Sequence, residues 1–143
     1  MNVLFDTSVL VPALVDQLSN HESAFYIFSS HITGEHRAFC STHCLVETYS
    51  VLTSLPLPKR ISSIEARILI EQSILGRLQV VPLDQEDYIE ALSRISKEGL
   101  TGGIIYDALH VEAAKRASCS RIYTYNIRHF RPICPPEISV SAP

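Results

Sequence analysis

The 143-residue sequence has no apolar run long enough to span a membrane, and its start lacks the basic residues and small-residue cleavage site of a secretory signal. Those absences lead to the expectation of a cytoplasmic protein without membrane contact. Cysteine is scarce and unpatterned: Cys40, Cys44, Cys119 and Cys134 form no CxxC pair and no disulfide framework. "HRAFCSTHC" brings His36, Cys40, His43 and Cys44 close in sequence but at no zinc-site spacing, so buried reduced thiols are expected there. No repeat, low-complexity tract or Gly/Ser linker divides the chain. One domain over residues 1–143 follows, long enough to bury about two-thirds of the surface its unfolded form exposes. Positive charge is also short. With Lys+Arg 12 against Asp+Glu 15, the net charge of −3 excludes a basic field over the whole molecule. What basic charge there is gathers between Lys115 and Arg131, where Arg116, Arg121, Arg128 and His129 occur without a single acid. An ordinary solvated surface has the same composition, and the stretch gains meaning only beside a site that acts on phosphates.

What the sequence does contain is an alternation of apolar strands and amphipathic helices. A strand at 2–5 leads into helical residues 10–15 and a second helical segment around 21–30. A strand at 38–40 enters a helix from Thr42 to about Leu52, and the two prolines of "LPLPKRIS" end it and start a helix over 62–75. Strand 78–83 precedes helix 85–97, where Tyr88, Ile89, Leu92 and Ile95 recur at helical spacing. The loop "GLTGG" precedes helix 104–117, strand 121–126 comes next, and a short strand is expected at 138–141. This order predicts an α/β fold with a parallel sheet covered by helices on both faces. In such sheets ligands sit outside the carboxyl ends of the strands. Asp6 and Asn126 stand at strand ends, Glu47 in the first turns of a helix and Asp107 near the start of another.

Each acid has two readings. In "NVLFDTSVLVPALV", Asp6 stands at the end of a strand buried on both faces; it either caps the next helix or is left free by Thr7 and Ser8, which could cap in its place. Glu47 in "CSTHCLVETYSVLTSL" is either solvated beside the helix start or, given its apolar neighbours, a partly buried acid requiring a partner. Asp107 lies on the most apolar helix, "TGGIIYDALHVEAAKRA", either favoured there by the helix dipole or placed for chemistry. On that helix His110 is expected to be a satisfied or surface histidine and Glu112 to be solvated. Several carboxylates share a confined site only when a cation offsets their repulsion. Oxygen donors without paired His or Cys favour Mg²⁺ or Mn²⁺ over zinc, and such a cluster suits phosphodiester hydrolysis by an activated water.

The stretches "VLFDTSVLV", "VETYSVL", "GGIIYDALHVEAA" and "RIYTYNIRHF", in this order and over nearly the whole chain, resemble PIN-domain proteins, and among them the VapC-type toxins of bacterial toxin–antitoxin pairs. The resemblance implies a PIN-like three-layer fold and a metal-dependent endoribonuclease that leaves 3′-hydroxyl and 5′-phosphate ends. It also implies a homodimer and a small antitoxin partner, for which the apolar residues of "VDQLSNHESAFYIF" and "RISSIEARILIEQSIL" either offer surface or simply serve the core. Asp6, Glu47 and Asp107 match the family's main acids as metal ligands, with Thr7 or Ser8 orienting Asp6 and Thr124 matching the hydroxyl of the last motif. Arg128, Arg131 and Lys115 are the expected RNA contacts. Where many members carry a fourth acid this chain has Asn126 and His129, so one well-defined Mg²⁺ or Mn²⁺ site is expected. The neutral Asn126 leaves open a second reading, a module that grips RNA or protein without cutting. A phosphohydrolase with Asp6 as covalent nucleophile is disfavoured, because Ser8 stands where its second Asp belongs.

Overall fold

A computed structural model describes residues 1–143. Strand β1 (Asn2–Phe5) is followed by helix α1 (Thr7–Leu14) and α2 (His21–His31), and strand β2 (Arg37–Ser41) by α3 (Thr42–Ser54). Helix α4 (Ser63–Leu69) widens into a π-helical run over Ile70–Leu75. That run closes at Gly76, where a Cβ would lie 2.6 Å from the Gln72 carbonyl oxygen. Strand β3 (Gln79–Val81), helices α5 (Gln85–Lys97) and α6 (Ile104–Arg116), strand β4 (Arg121–Tyr123), α7 (Ile127–Phe130) and β5 (Ser139–Ser141) complete the chain.

All pairings in the five-stranded sheet are parallel, in the order β3-β2-β1-β4-β5. Helices cover both faces, because alternate strand residues are apolar in both directions. Val3 and Phe5 of β1 and Ala38 and Cys40 of β2 pack with α1, α2 and α3, while Leu4, Phe39 and Ile122 pack on the opposite side with α5 and α6. This is the α/β three-layer arrangement expected.

Several boundaries differ from the sequence expectation. Helix α1 starts directly at Thr7, because the Asp6 carbonyl already accepts hydrogen bonds from the Val9 and Leu10 N–H groups at 3.0 and 3.1 Å. Strand β4 ends at Tyr123 instead of residue 126. The Thr124 Oγ1 accepts from the Asn126 N–H at 2.9 Å, turning the chain into the short helix α7. The order of the strands reverses direction at β1, whose neighbours are β2 and β4, and the crevice at that reversal is where ligands bind in open parallel sheets.

Candidate active site

The carboxyl ends of β1 and β4 bring Asp6 and Thr124 together. Asp6 is 1% exposed, and although it occupies the N-cap position of α1 its carboxylate makes no capping hydrogen bond. The capping alternative is thereby removed. One carboxylate oxygen, Oδ2, accepts from Ser8 Oγ at 2.7 Å and from the buried Thr124 Oγ1 at 2.8 Å. Ser8 Oγ in turn accepts from the Tyr125 N–H at 2.9 Å, so the chain after β4 is stitched to the start of α1. Thr7, the other candidate for orienting Asp6, donates its hydroxyl to Cys44 Sγ at 3.3 Å instead. The second oxygen of Asp6 is left to face inward.

It faces His110. The ring is fully buried, with Nε2 3.4 Å from Asp6 Oδ1 and 3.6 Å from Glu47 Oε1. Neither approach completes a hydrogen bond, and Nε2 is a buried polar atom without a partner. The other ring nitrogen, Nδ1, lies 3.0 Å from Ser41 Oγ, the group that also caps α3 by accepting from the Cys44 N–H. The expectation of a satisfied or surface histidine is therefore corrected. Residues three apart on a helix lie on one side, so the Asp107–His110 spacing carried the signal that was missed. Glu112 is also corrected: it is 3% exposed and paired with Arg94 at 3.0 Å, away from the site.

Glu47 is the partly buried acid that needed a partner. His43, four residues earlier on α3, contacts its Oε2 at 3.0 Å, and the His43 ring stacks on Tyr106 with centroids 5.1 Å apart. Asp107, in the first turn of α6, has His129 Nδ1 3.3 Å from its Oδ2. Glu47, Asp107, Asn126 and His129 line one cavity of about 590 Å³, together with Tyr106 and the 99–103 loop. Asn126 and Arg128 line an adjoining depression with Tyr125 and His129. The exposed Arg131 lies just beyond α7. Lys115 is not brought there. It sits near the far end of α6, eight residues and about 12 Å of helix beyond Asp107, with its ammonium 3.4 Å from Glu112.

The charges of the cluster are unbalanced. Burial pushes the Asp107 carboxyl up to about 6, with the Asp6 charge adding to the effect. Burial would also raise Glu47, but the His110 and His43 rings outweigh it and hold Glu47 well below the usual carboxylate range. For His110, burial favours the neutral ring, and the neighbouring Glu47 and Asp6 carboxylates overcome it to bring the pKa up to about 9. Asp6, Glu47 and His110 each present a ligand atom within 4.8 Å of the other two. Two carboxylate oxygens and an unpaired imidazole nitrogen converging on one point are a donor set that fits a divalent cation. Asp107 stands beside that point and feels its charge.

A model of the PIN domain matches residues 3–133. The Mycobacterium tuberculosis protein named ribonuclease VapC40 is 32% identical over 123 residues, an alignment covering 86% of this chain and 85% of the relative. Among solved structures, M. tuberculosis VapC20, described as a sarcin–ricin loop cleaving toxin, superposes with a TM-score of 0.72 at 14% identity, over 90% of this chain and 92% of its own. VapBC2 from Rickettsia felis, solved with a fragment of promoter DNA, gives a TM-score of 0.69 at 16% identity and covers 99% of this chain and 98% of its own.

Proposed function

This chain belongs to the PIN-domain family, and we propose that it is an endoribonuclease dependent on Mg²⁺ or Mn²⁺, acting as the toxin of a toxin–antitoxin pair. The observation that carries the proposal is the convergence of Asp6, Glu47 and His110, with Asp107 beside them, at the carboxyl edge of the sheet. A divalent cation bound there supplies the Lewis acid that makes water a nucleophile at neutral pH and offsets charge on the leaving oxygen.

The chain's own residues do the rest. Asp6 and Glu47 would hold the cation, with Asp107 completing the negative pocket. Ser8 and Thr124 fix the Asp6 carboxylate through one oxygen, so that the other keeps a constant direction without costing order during the reaction. His43 does the same for Glu47 from the preceding turn of α3. The open cavity of about 590 Å³ admits an unpaired strand with its phosphate beside Asp107, and Asn126 and His129 line it without adding negative charge against the phosphate. Arg128 lines the adjoining depression with Asn126 and His129, and the exposed Arg131 follows α7, so that the RNA backbone would continue past them. The antitoxin reading is supported by apolar side chains left on the surface: Phe25 and Tyr26 of α2, and Ile64 and Ile68 of α4, are 40–70% exposed. A small antitoxin with an amphipathic segment fits such a surface.

The test is cleavage of single-stranded RNA by purified protein with Mn²⁺, with and without chelator. Asp6→Asn is expected to lower the rate at least about a hundredfold while circular dichroism stays that of the parent. Cleavage by Asp6→Asn at the parent rate would overturn the proposal.

A further inference from the structure

Holding the cation by Asp6 and Glu47 alone leaves the buried Nε2 of His110, which converges with them, without a bond. A polar atom buried without a partner costs on the order of 1–3 kcal/mol, and a fold does not leave one unpaired where a rotamer change or an apolar residue would remove it. Nε2 lies 3.4 Å from one carboxylate oxygen and 3.6 Å from another. Such spacings are too long and poorly directed for hydrogen bonds, yet they are those of atoms sharing one ion at about 2.1 Å. The ring is also braced as ligating histidines are. Its Nδ1 is engaged by Ser41 Oγ at 3.0 Å, which holds Nε2 pointed at the carboxylates. Ser41 is itself fixed at the junction of β2 and α3, and Phe130 packs along the ring at 6.4 Å between centroids.

We propose that His110 is a direct ligand of the cation held by Asp6 and Glu47, and that its nitrogen makes this a mixed oxygen–nitrogen site that prefers Mn²⁺ to Mg²⁺. Mg²⁺ is a hard ion that takes oxygen donors and keeps its waters, whereas later divalent metals gain from an imidazole. The inference rests on the cation site of the proposed nuclease, but not on RNA being the substrate.

The test uses the full chain without RNA. Mn²⁺ is bound to the protein and examined by pulsed electron paramagnetic resonance for coupling to nitrogen, then compared with protein labelled with ¹⁵N-histidine. Titrations give the Mn²⁺ and Mg²⁺ affinities of the parent and of His110→Gln. The expected result is an imidazole nitrogen coupling that changes on ¹⁵N labelling and vanishes in His110→Gln. The Mn²⁺-to-Mg²⁺ affinity ratio should fall at least about tenfold in that variant. Should His110→Gln fail to fold, coupling that survives in both His43→Gln and His129→Asn keeps the assignment to His110. Bound Mn²⁺ without nitrogen coupling overturns the inference and leaves the nuclease proposal standing, with His110 serving only as a fixed positive neighbour of the acids. Coupling that survives in His110→Gln overturns it too, since the nitrogen then belongs to another ring, and so does a parent protein that binds no Mn²⁺. Coupling as expected in a protein that cuts no RNA sinks the nuclease proposal alone.

Discussion

Asp107 and Glu112 stand five residues apart on the same helix, both largely buried, and they are treated in opposite ways. Glu112 is met by fixed cations: the Arg94 guanidinium donates to its Oε1 at 3.0 and 3.2 Å, Lys115 reaches its other oxygen at 3.4 Å, and Arg94 also donates to the Ile133 carbonyl. That triad ties α5, α6 and the C-terminal segment together. Asp107 has no Lys or Arg. It has only an exposed His129 at 3.3 Å, and burial, with the Asp6 and Glu47 charges adding to it, makes its carboxyl hold its proton more tightly. Glu112, which holds elements together, is compensated by fixed cations of the chain, whereas Asp107, which lines the cavity, is not. The contrast locates the site without reference to any motif.

The largest effect that would sharpen the contrast is at the structural end. Glu112→Gln strands the Arg94 charge, of which only about a fifth is exposed. Removing one partner of such a pair is expected to cost about 3 kcal/mol, a fall in melting temperature of about 10 °C. Cleavage per folded molecule should be unchanged. Calorimetry beside the RNA assay checks both halves. A variant as stable as the parent would show that the triad holds nothing, and the comparison would break.

At the other end the sign reverses. The Asp107 carboxyl is pushed up from 3.8 to about 6 in the folded protein. Its contribution to stability is therefore fully present below pH 3.8 and lost as the pH rises through about 6. Metal-free parent and Asp107→Asn should melt alike near pH 4. By pH 7 the variant should be the more stable, by about 1 kcal/mol after solvent screening. Mn²⁺ should narrow the gap by stabilising the parent more than the variant, which keeps Asp6, Glu47 and His110 but lacks the Asp107 charge. Thermal melts at the two pH values, with chelator and with Mn²⁺, measure this directly. A parent more stable than the variant at pH 7 without metal would mean that Asp107 is compensated after all.

How far the sequence revealed this can be traced residue by residue. Helix α5 runs over 85–97 as its periodicity predicts, and α6 over 104–116, one residue short of the expected end. Both are long, and their patterns are set by local spacing. Asp6, Glu47 and Asp107 were legible because a charge inside an apolar run needs a reason. His110 was not, although it stands three residues from Asp107. Its role depends on Ser41 and on two carboxylates distant in the chain, which no local pattern encodes. Helix α7 was hidden for a similar reason: "RIYTYN" alternates like a strand throughout, and only the hydrogen bonds of Thr124 and Ser8 turn the chain at 124–126. The exposed Tyr88, Ile89 and Leu92 of α5 show the reverse error, since periodicity identified the helix while Ala91 and Ile95 supply its buried side.

The smallest effect concerns the basic residues, and it separates the two ends of α6 again. Lys115 belongs to the compensated end, its charge engaged by Glu112, whereas Arg128 is exposed on α7 beside Asn126 and His129. Only a cation free to neutralise a phosphate, and so to release counterions condensed on the RNA, adds to the salt dependence of binding. Measured on the Asp6→Asn background, so that RNA is held without being cut, Arg128→Ala should weaken binding a few-fold and reduce the slope of log affinity against log salt by about 0.7. Lys115→Ala should leave that slope where it is. Equal slopes for the two variants would route the RNA along the whole of α6, past Glu112, and the division of the helix into a structural end and a ligand-facing end would fail.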